Sequence, residues 1–209
     1  MKRIYIILFY FILFVISTIA NSAEINFKPL FDKSNKVFAH KILEIMPSLN
    51  NVRIGDPNAK NIIIEFVDYN CGYCKAIHKE IIDLANNKEL DLVVYFFQFP
   101  VLSDSSRLYS KILLSVAEQN MEEAIVLHDK LMNIKGNLND NKLNFILSDI
   151  NINQKKFEED MMSLNIEEKI EVSYYVARRI GGTGTPLLII NNFVEQGFRT
   201  KEEIINILN

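Results

Sequence analysis

Cys71 and Cys74 are the only cysteines of this 209-residue chain, and both lie in the run Cys71-Gly72-Tyr73-Cys74. The residues that follow, from about 75 to 86, carry Ile77, Ile81, Ile82 and Leu84 at helical intervals. That pattern puts Cys71 at the mouth of a helix and Cys74 one turn inside it. The first N–H groups of a helix lack backbone acceptors and carry partial positive charge, which favours a thiolate beside them. A thiolate of lowered pKa is both a nucleophile and a good leaving group. Cys71 is therefore the sulfur expected to attack or be attacked, and Cys74 the thiol that resolves the resulting mixed disulfide.

Two other chemistries compete for the same pair. A zinc ion would take Cys71, Cys74 and His78, one turn further on, but no fourth ligand is evident. The remaining histidines, His40 and His128, lie in helices of apolar period, where packing is the expected role. An inert structural disulfide would close a loop too short to restrain the unfolded chain much.

The elements that must position the pair can be read from the pattern around it. Ile62-Ile63-Ile64-Glu65-Phe66-Val67, just upstream, is a nearly continuous apolar strand of the kind covered on both faces. Residues 92–99 form a second strand, closed by Pro100. From about residue 103 to 180 the strand signal vanishes, and apolar residues recur at helical spacing until Gly181-Gly182. Strand character returns at Leu187-Leu188-Ile189-Ile190, turns at Asn191-Asn192 and comes back through Phe193-Val194-Glu195. Thr200 can cap a closing helix with Ile204, Ile205 and Leu208 inward. Upstream, Gly55-Asp56-Pro57-Asn58 is turn chemistry that suggests a domain boundary, and residues 34–46 carry an amphipathic helix ended by Pro47.

Residues 1–23 are of a different kind: Lys2 and Arg3, an apolar run from Ile4 to Ile16, then small residues up to Ala23. This order is that of a secretory signal peptide, and an uncleaved membrane anchor is the alternative. Either one delivers the rest of the chain to a compartment that permits disulfides. The net charge of −3 leaves no basic excess for binding nucleic acid, and 49% hydrophobic with 23% charged residues is ordinary for a globular domain.

Together, Glu65-Phe66-Val67-Asp68-Tyr69-Asn70-Cys71-Gly72-Tyr73-Cys74-Lys75 and the distant Gly184-Thr185-Pro186 resemble the DsbA-type thiol-disulfide oxidoreductases, in their Cys-Gly-Tyr-Cys branch. The resemblance runs from about Asn58 to the C-terminus. It implies an α/β thioredoxin fold over residues 60–209 with a helical subdomain inserted at about 103–180, preceded by a lead-in over 24–59. It also implies a redox-active Cys71–Cys74 disulfide and a cis Thr185-Pro186 bond facing it, whose loop pairs with extended substrate. Glu65 matches the family's buried acid beneath the site, placed to take or relay the Cys74 proton.

Two departures from the pattern stand out. The lysine that partners this acid in the best-known members would fall near Val94, and residues 92–100 contain none. The strongest oxidants carry Pro-His between the cysteines where this chain has Gly72-Tyr73, and Lys75 is the cation near enough to compensate in part. The expected disulfide is less oxidising than theirs, and Thr185 before the proline also occurs in isomerase-like branches.

The resulting expectation is a periplasmic protein-disulfide oxidoreductase, most simply a disulfide donor to the cysteines of exported proteins, recharged by a DsbB-like or other membrane redox partner. It needs no cofactor and no metal. An isomerase or reductase kept reduced, or a metal-handling or chaperone-like thiol protein, are the alternatives.

Overall fold

The computed structural model describes residues 39–49, 52–134 and 139–209. The signal-peptide reading and the first part of the lead-in fall outside them. Among the described residues, five strands and eight α-helices follow in the order α1 (Ala39–Ile45), β1 (Arg53–Ile54), β2 (Asn61–Val67), α2 (Gly72–Ala85), β3 (Leu92–Gln98), α3 (Asp104–Ala117), α4 (Met121–Asn133), α5 (Asp140–Ser148), α6 (Gln154–Met161), α7 (Leu164–Arg179), β4 (Leu187–Ile190), β5 (Phe193–Gln196) and α8 (Lys201–Leu208). None of these described helices is long and apolar enough to cross a membrane.

The strands form one sheet in the order β1-β3-β2-β4-β5. β2 is central, as its apolar run requires: it pairs parallel with β3 and antiparallel with β4, so Glu65 lies between Phe96 and Leu188. Side chains alternate across the pleat and sort the core into two layers. Ile63, Val67, Val94, Phe96, Leu188 and Ile190 pack in a cluster with residues of α2, α3, α4 and α8. Ile64, Phe66, Val93, Tyr95, Phe97, Leu187 and Ile189 pack in the other, with residues of α1 and α7. Glu65, in phase with Ile63 and Val67, therefore points into the layer that holds the cysteines.

The inserted block expected at 103–180 is α3 to α7, and it splits the β2-α2-β3 half from the β4-β5-α8 half. Thr200 caps α8 with a full capping box through Glu203, and Asn191 makes the β4–β5 turn at φ +53°. One boundary differs from expectation. β1 precedes the Gly55-Asp56-Pro57-Asn58 turn yet pairs with β3, Arg53 opposite Tyr95, so the sheet begins ahead of residue 60. Gly55 sits at φ +104°, and an added Cβ would lie 2.4 Å from the Leu92 carbonyl oxygen, so this tight entry to the sheet needs glycine. α1 is a short stretch of the expected 34–46 helix; residues 34–38 lie outside the described residues, and Ala39 and Ile42 bury their side chains against the sheet.

Candidate functional site

The site sits where β2 ends and α2 begins. α2 starts at Gly72, three residues earlier than the apolar pattern suggests, because Cys71 itself is the N-cap: its backbone is extended (φ −79°, ψ 116°) and its sulfur accepts the Cys74 N–H at 3.3 Å. A thiol thus takes the place that a serine or aspartate oxygen usually fills. Cys74, Ile77, His78, Ile81 and Leu84 form the buried stripe that docks α2 on the sheet, so Cys74 is wholly covered while Cys71 stays 5% exposed at the rim.

Thr185-Pro186 is a cis peptide bond, as the resemblance implies, and it brings the Thr185 carbonyl to the dithiol. The Cys71 thiol donates to that oxygen at 3.2 Å. Both cysteines are free thiols in this structure, so these are the contacts of the reduced form. Pro186 is buried, and its own carbonyl accepts the Gly197 N–H at 2.8 Å.

These contacts separate the two sulfurs electrostatically. The Cys71 pKa falls to about 6, chiefly through the hydrogen bond from the Cys74 thiol. Burial opposes that fall, and the Thr185 side chain and the N–H groups of Cys74 and Tyr73 reinforce it. The Thr185 hydroxyl oxygen is buried and bonded to nothing in the dithiol form, which leaves it available as a donor once Cys71 ionises. Cys74 moves strongly the other way, because it is buried and because its own thiol serves Cys71. One accessible sulfur is thus ready as a thiolate while the other keeps its proton.

Thr185→Val deletes that hydroxyl and keeps the branched shape. The Cys71 pKa is expected to rise by on the order of one unit, the worth of one hydrogen bond to a charged group, with little change in melting temperature. Iodoacetamide alkylation followed against pH reads this directly, and an unmoved midpoint would mean the hydroxyl does not reach the sulfur.

Glu65 is 1% exposed, and neither carboxyl oxygen has a partner. Burial first, and the Cys71 charge second, raise its pKa to about 8. The carboxyl therefore holds its proton near neutral pH, beneath the two sulfurs whose charges it feels. Gly72 and Tyr73 lie on the open side. A Cβ on Gly72 would meet nothing within 4 Å, and Tyr73 is 68% exposed.

Lys75 does not compensate for the missing imidazole as expected. Its ammonium donates to the Ile134 carbonyl at 3.0 Å, at the end of α4, and is not among the main causes of the Cys71 shift. The carbonyl of Ile134, left over at the end of the neighbouring helix, is the stronger draw. Nor does His78 turn toward the cysteines: its Nε2 bonds Asp129 Oδ1 of α4 at 2.9 Å. His128, expected only to pack, stacks on Phe96 but also bonds the Tyr69 hydroxyl through Nδ1 at 2.8 Å.

The sequence pattern also passes over Asp68. This fully buried carboxylate accepts three backbone N–H groups, from Asn70 at 2.8 Å, Val101 at 2.9 Å and Leu102 at 3.0 Å. Its backbone carbonyl takes the Cys71 N–H at 2.9 Å. Beside it the Asn70 amide reaches Ser103 and Ser106. The Cys71 loop is thereby tied to the entrance of α3. Asp68→Ala would strand three donors, and a loss of about 3 kcal/mol is expected in urea unfolding, with Asp68→Asn in between. An alanine variant as stable as the parent would show that water satisfies those groups equally well.

Comparison with known proteins agrees with this geometry. A family model described as thioredoxin matches residues 48–209. Among curated protein sequences none matches the chain. Many solved structures resemble it in fold, among them the following three. The thiol-disulfide exchange protein alpha-DsbA2 of Wolbachia pipientis superposes with a TM-score of 0.71 at 26% identity, over 81% of this chain and 92% of that one. The catalytic domain of Proteus mirabilis ScsC gives 0.68 at 22% identity, over 82% and 96%. A periplasmic thioredoxin-like protein of Salmonella enterica serovar Typhimurium gives 0.64 at 24%, over 77% and 91%. With its central β2, its Cys-capped α2 and the helical block between two sheet halves, the chain belongs to the thioredoxin family, in the form taken by DsbA-type thiol-disulfide exchange proteins.

Proposed function

We propose that the chain is an exported protein-disulfide oxidoreductase that exchanges a Cys71–Cys74 disulfide with the cysteines of secreted proteins, running as a disulfide donor. The observation that carries this reading is the Cys71 sulfur seated as the cap of α2, bonded by the Cys74 N–H at 3.3 Å, with its pKa drawn to about 6. A stabilised thiolate stabilises the reduced enzyme, and a disulfide whose reduced form is stabilised is the better oxidant. The periplasmic Salmonella relative and the basic-apolar-small order of residues 1–23 support export to the periplasm.

In the donor cycle a substrate thiolate attacks Cys71 of the disulfide. The Cys71–Cys74 bond breaks as the mixed disulfide forms, and Cys74 leaves with the electron pair and takes up a proton. A second substrate thiolate attacks its own sulfur in the mixed disulfide and releases Cys71 as a thiolate. Glu65, protonated below about pH 8, can supply the proton Cys74 needs. Two electrons then remain on the enzyme, and a membrane redox protein of the DsbB kind is the partner that removes them.

Equilibration with glutathione tests the direction. A donor has a reduction potential above about −200 mV, whereas a value below about −250 mV makes the protein a reductant and overturns the donor reading. Alkylation of Cys71 against pH should show a midpoint near 6, and a midpoint at the free-thiol value of about 8.5 would remove the thiolate on which the reading rests.

A further inference from the structure

Cys71 is reached from two sides by segments that Arg178 ties together. In the last turn of α7, the Arg178 guanidinium donates through Nη1 to the Gly182 carbonyl at 3.0 Å and through Nη2 to the Tyr174 hydroxyl at 3.0 Å. The same group lies over two rings, its Cζ 5.0 Å from the centroid of Tyr174 and 5.3 Å from that of Phe99. Those rings meet edge-on, 5.1 Å apart. Phe99 is fully buried just past the end of β3, and its N–H bonds the Val67 carbonyl at 2.8 Å.

Gly182 is one foot of a short arch that ends at Pro186. Its N–H bonds the Ala177 carbonyl at 2.8 Å, closing the end of α7, and its own carbonyl is the one that Arg178 takes. A Cβ there would lie 2.6 Å from the Leu187 side chain and 2.7 Å from the Ala177 oxygen, so the chain is pressed between α7 and the start of β4. At the other foot the Pro186 carbonyl accepts the Gly197 N–H. Among the described residues, no hydrogen bond holds Thr183 or Gly184 between the feet. Thr185 therefore stands where the two feet put it, its carbonyl 3.2 Å from the Cys71 sulfur and its hydroxyl buried without a partner.

We infer that Arg178 is a positioning residue of the exchange site, holding the 183–185 arch against the exit of β3 and so setting where Thr185 meets the Cys71 sulfur. The role rests on the exchange reading above. Both segments that Arg178 joins lead to that one cysteine. Phe99 lies two residues ahead of Val101, whose N–H the Asp68 carboxylate holds, and the Asp68 carbonyl holds the Cys71 N–H. Gly182 lies three residues ahead of Thr185, whose carbonyl accepts the Cys71 thiol. A planar cation with donors on two arms suits this place, because it hydrogen-bonds along its edge while lying over the rings. A lysine ammonium has no such fork. Its charge also makes the bond to the Gly182 carbonyl stronger than one from a neutral donor.

The route runs through Thr185 rather than through charge. Arg178 is not among the main causes of the Cys71 shift, whereas the Thr185 side chain is. The ionisable groups that act on one another around the dithiol are Glu65 of β2 and, in the loop before Cys71, Asp68 and Tyr69. A substitution at Arg178 replaces none of these, so a change it makes at Cys71 is traceable by removing the Thr185 hydroxyl as well.

The test is a double-mutant cycle read by iodoacetamide alkylation of the reduced full-length protein against pH. Arg178→Met keeps an apolar stem over the rings and deletes the donors. It is expected to raise the Cys71 midpoint by roughly half a unit, part of what a lost Thr185 bond gives, and to slow attack on oxidised glutathione near pH 6 about twofold. In the Thr185→Val background the same substitution should give no further rise. An unmoved midpoint in the parent background overturns the role, even if the melting temperature falls, since Arg178 then serves stability alone. An equal rise in both backgrounds, the mark of a charge acting through space, overturns it too. Arg178→Lys keeps the charge and loses the fork, so its midpoint is expected to rise in the same sense, and it alone decides should Arg178→Met not fold. Failure of the unmodified protein to exchange with oxidised glutathione overturns the exchange reading and the role with it, whereas parental midpoints beside normal exchange overturn the role alone.

Discussion

In a Cys74→Ala variant, disulfides between Cys71 and exported proteins are expected to accumulate as slow-migrating species on non-reducing gels, where the parent shows almost none. The cause is the division of labour at the mouth of α2. Cys71 keeps its cap position and its route to a thiolate, since the Cys74 N–H that its sulfur accepts belongs to the backbone and survives the substitution. What disappears is the thiol within reach of the mixed disulfide. A linked thiol acts at an effective concentration of millimolar or more, and a well-oriented one at many orders above that. Its loss should lengthen the life of the mixed disulfide at least about a hundredfold. The alanine also removes the thiol hydrogen bond that does most to lower the Cys71 pKa, so capture should need a somewhat higher pH than exchange does in the parent. Cys71→Ser is the control and should trap nothing. Equal trapping by both variants would place the reactive sulfur elsewhere, and no trapping by Cys74→Ala in cells that export the chain would remove secreted thiol proteins as its substrates.

Glu65→Gln is expected to make the protein more stable above neutral pH, an unusual result for a change at a wholly buried position. The Glu65 pKa in the folded chain is raised from its ordinary value of 4.5 to about 8. Between those values the unfolded chain has released the proton while the folded chain still binds it, so stability falls as pH rises through this window. The contribution is intact below about pH 4.5 and has been lost above about pH 8, and the total is at most roughly 5 kcal/mol. Glutamine carries no proton to lose, so its stability should be flat across the window. The variant should match the parent near pH 5 and exceed it by a few kcal/mol at pH 9. Urea unfolding of the disulfide form is the suitable measurement, because no Cys71 charge is then present and burial, the larger cause, acts alone. Parallel pH profiles for the two proteins would mean that water reaches the carboxyl and relieves it.

Much of this site could be read from residue types because its chemistry is local. A cysteine just before a helical apolar stripe has one geometry available, and Cys71 and Cys74 fall where that stripe puts them. Glu65 among isoleucines reads as buried because β2 is apolar on both sides of it, and only the family resemblance points to Thr185-Pro186. The misreadings concern partners distant in sequence. In the chain Lys75 stands nearest the Cys71 sulfur, but the fold offers it Ile134, 59 residues away. His128 and Tyr69 are also 59 residues apart, and Asp68 finds Val101 and Leu102 across the sheet. A polar residue in an apolar period signals that a partner exists; only the packing of α4 against α2 says which one. β1 escaped notice for another reason: two residues are too few to show an alternation.

The clasp at Asp68 bears on how such a protein can be rebuilt. The helical block separates the two halves of the sheet in sequence, so it looks like a cassette to be exchanged between relatives at will. Its first residues, however, are held by the loop that carries Cys71: Val101 and Leu102 through Asp68, and Ser103 and Ser106 through Asn70. A chimera joined after Pro100 would cut through that clasp and set the donor's α3 adrift from the host's dithiol. A joint placed beyond Ser106 keeps the fastening with the host and leaves the rest of the block free to be traded.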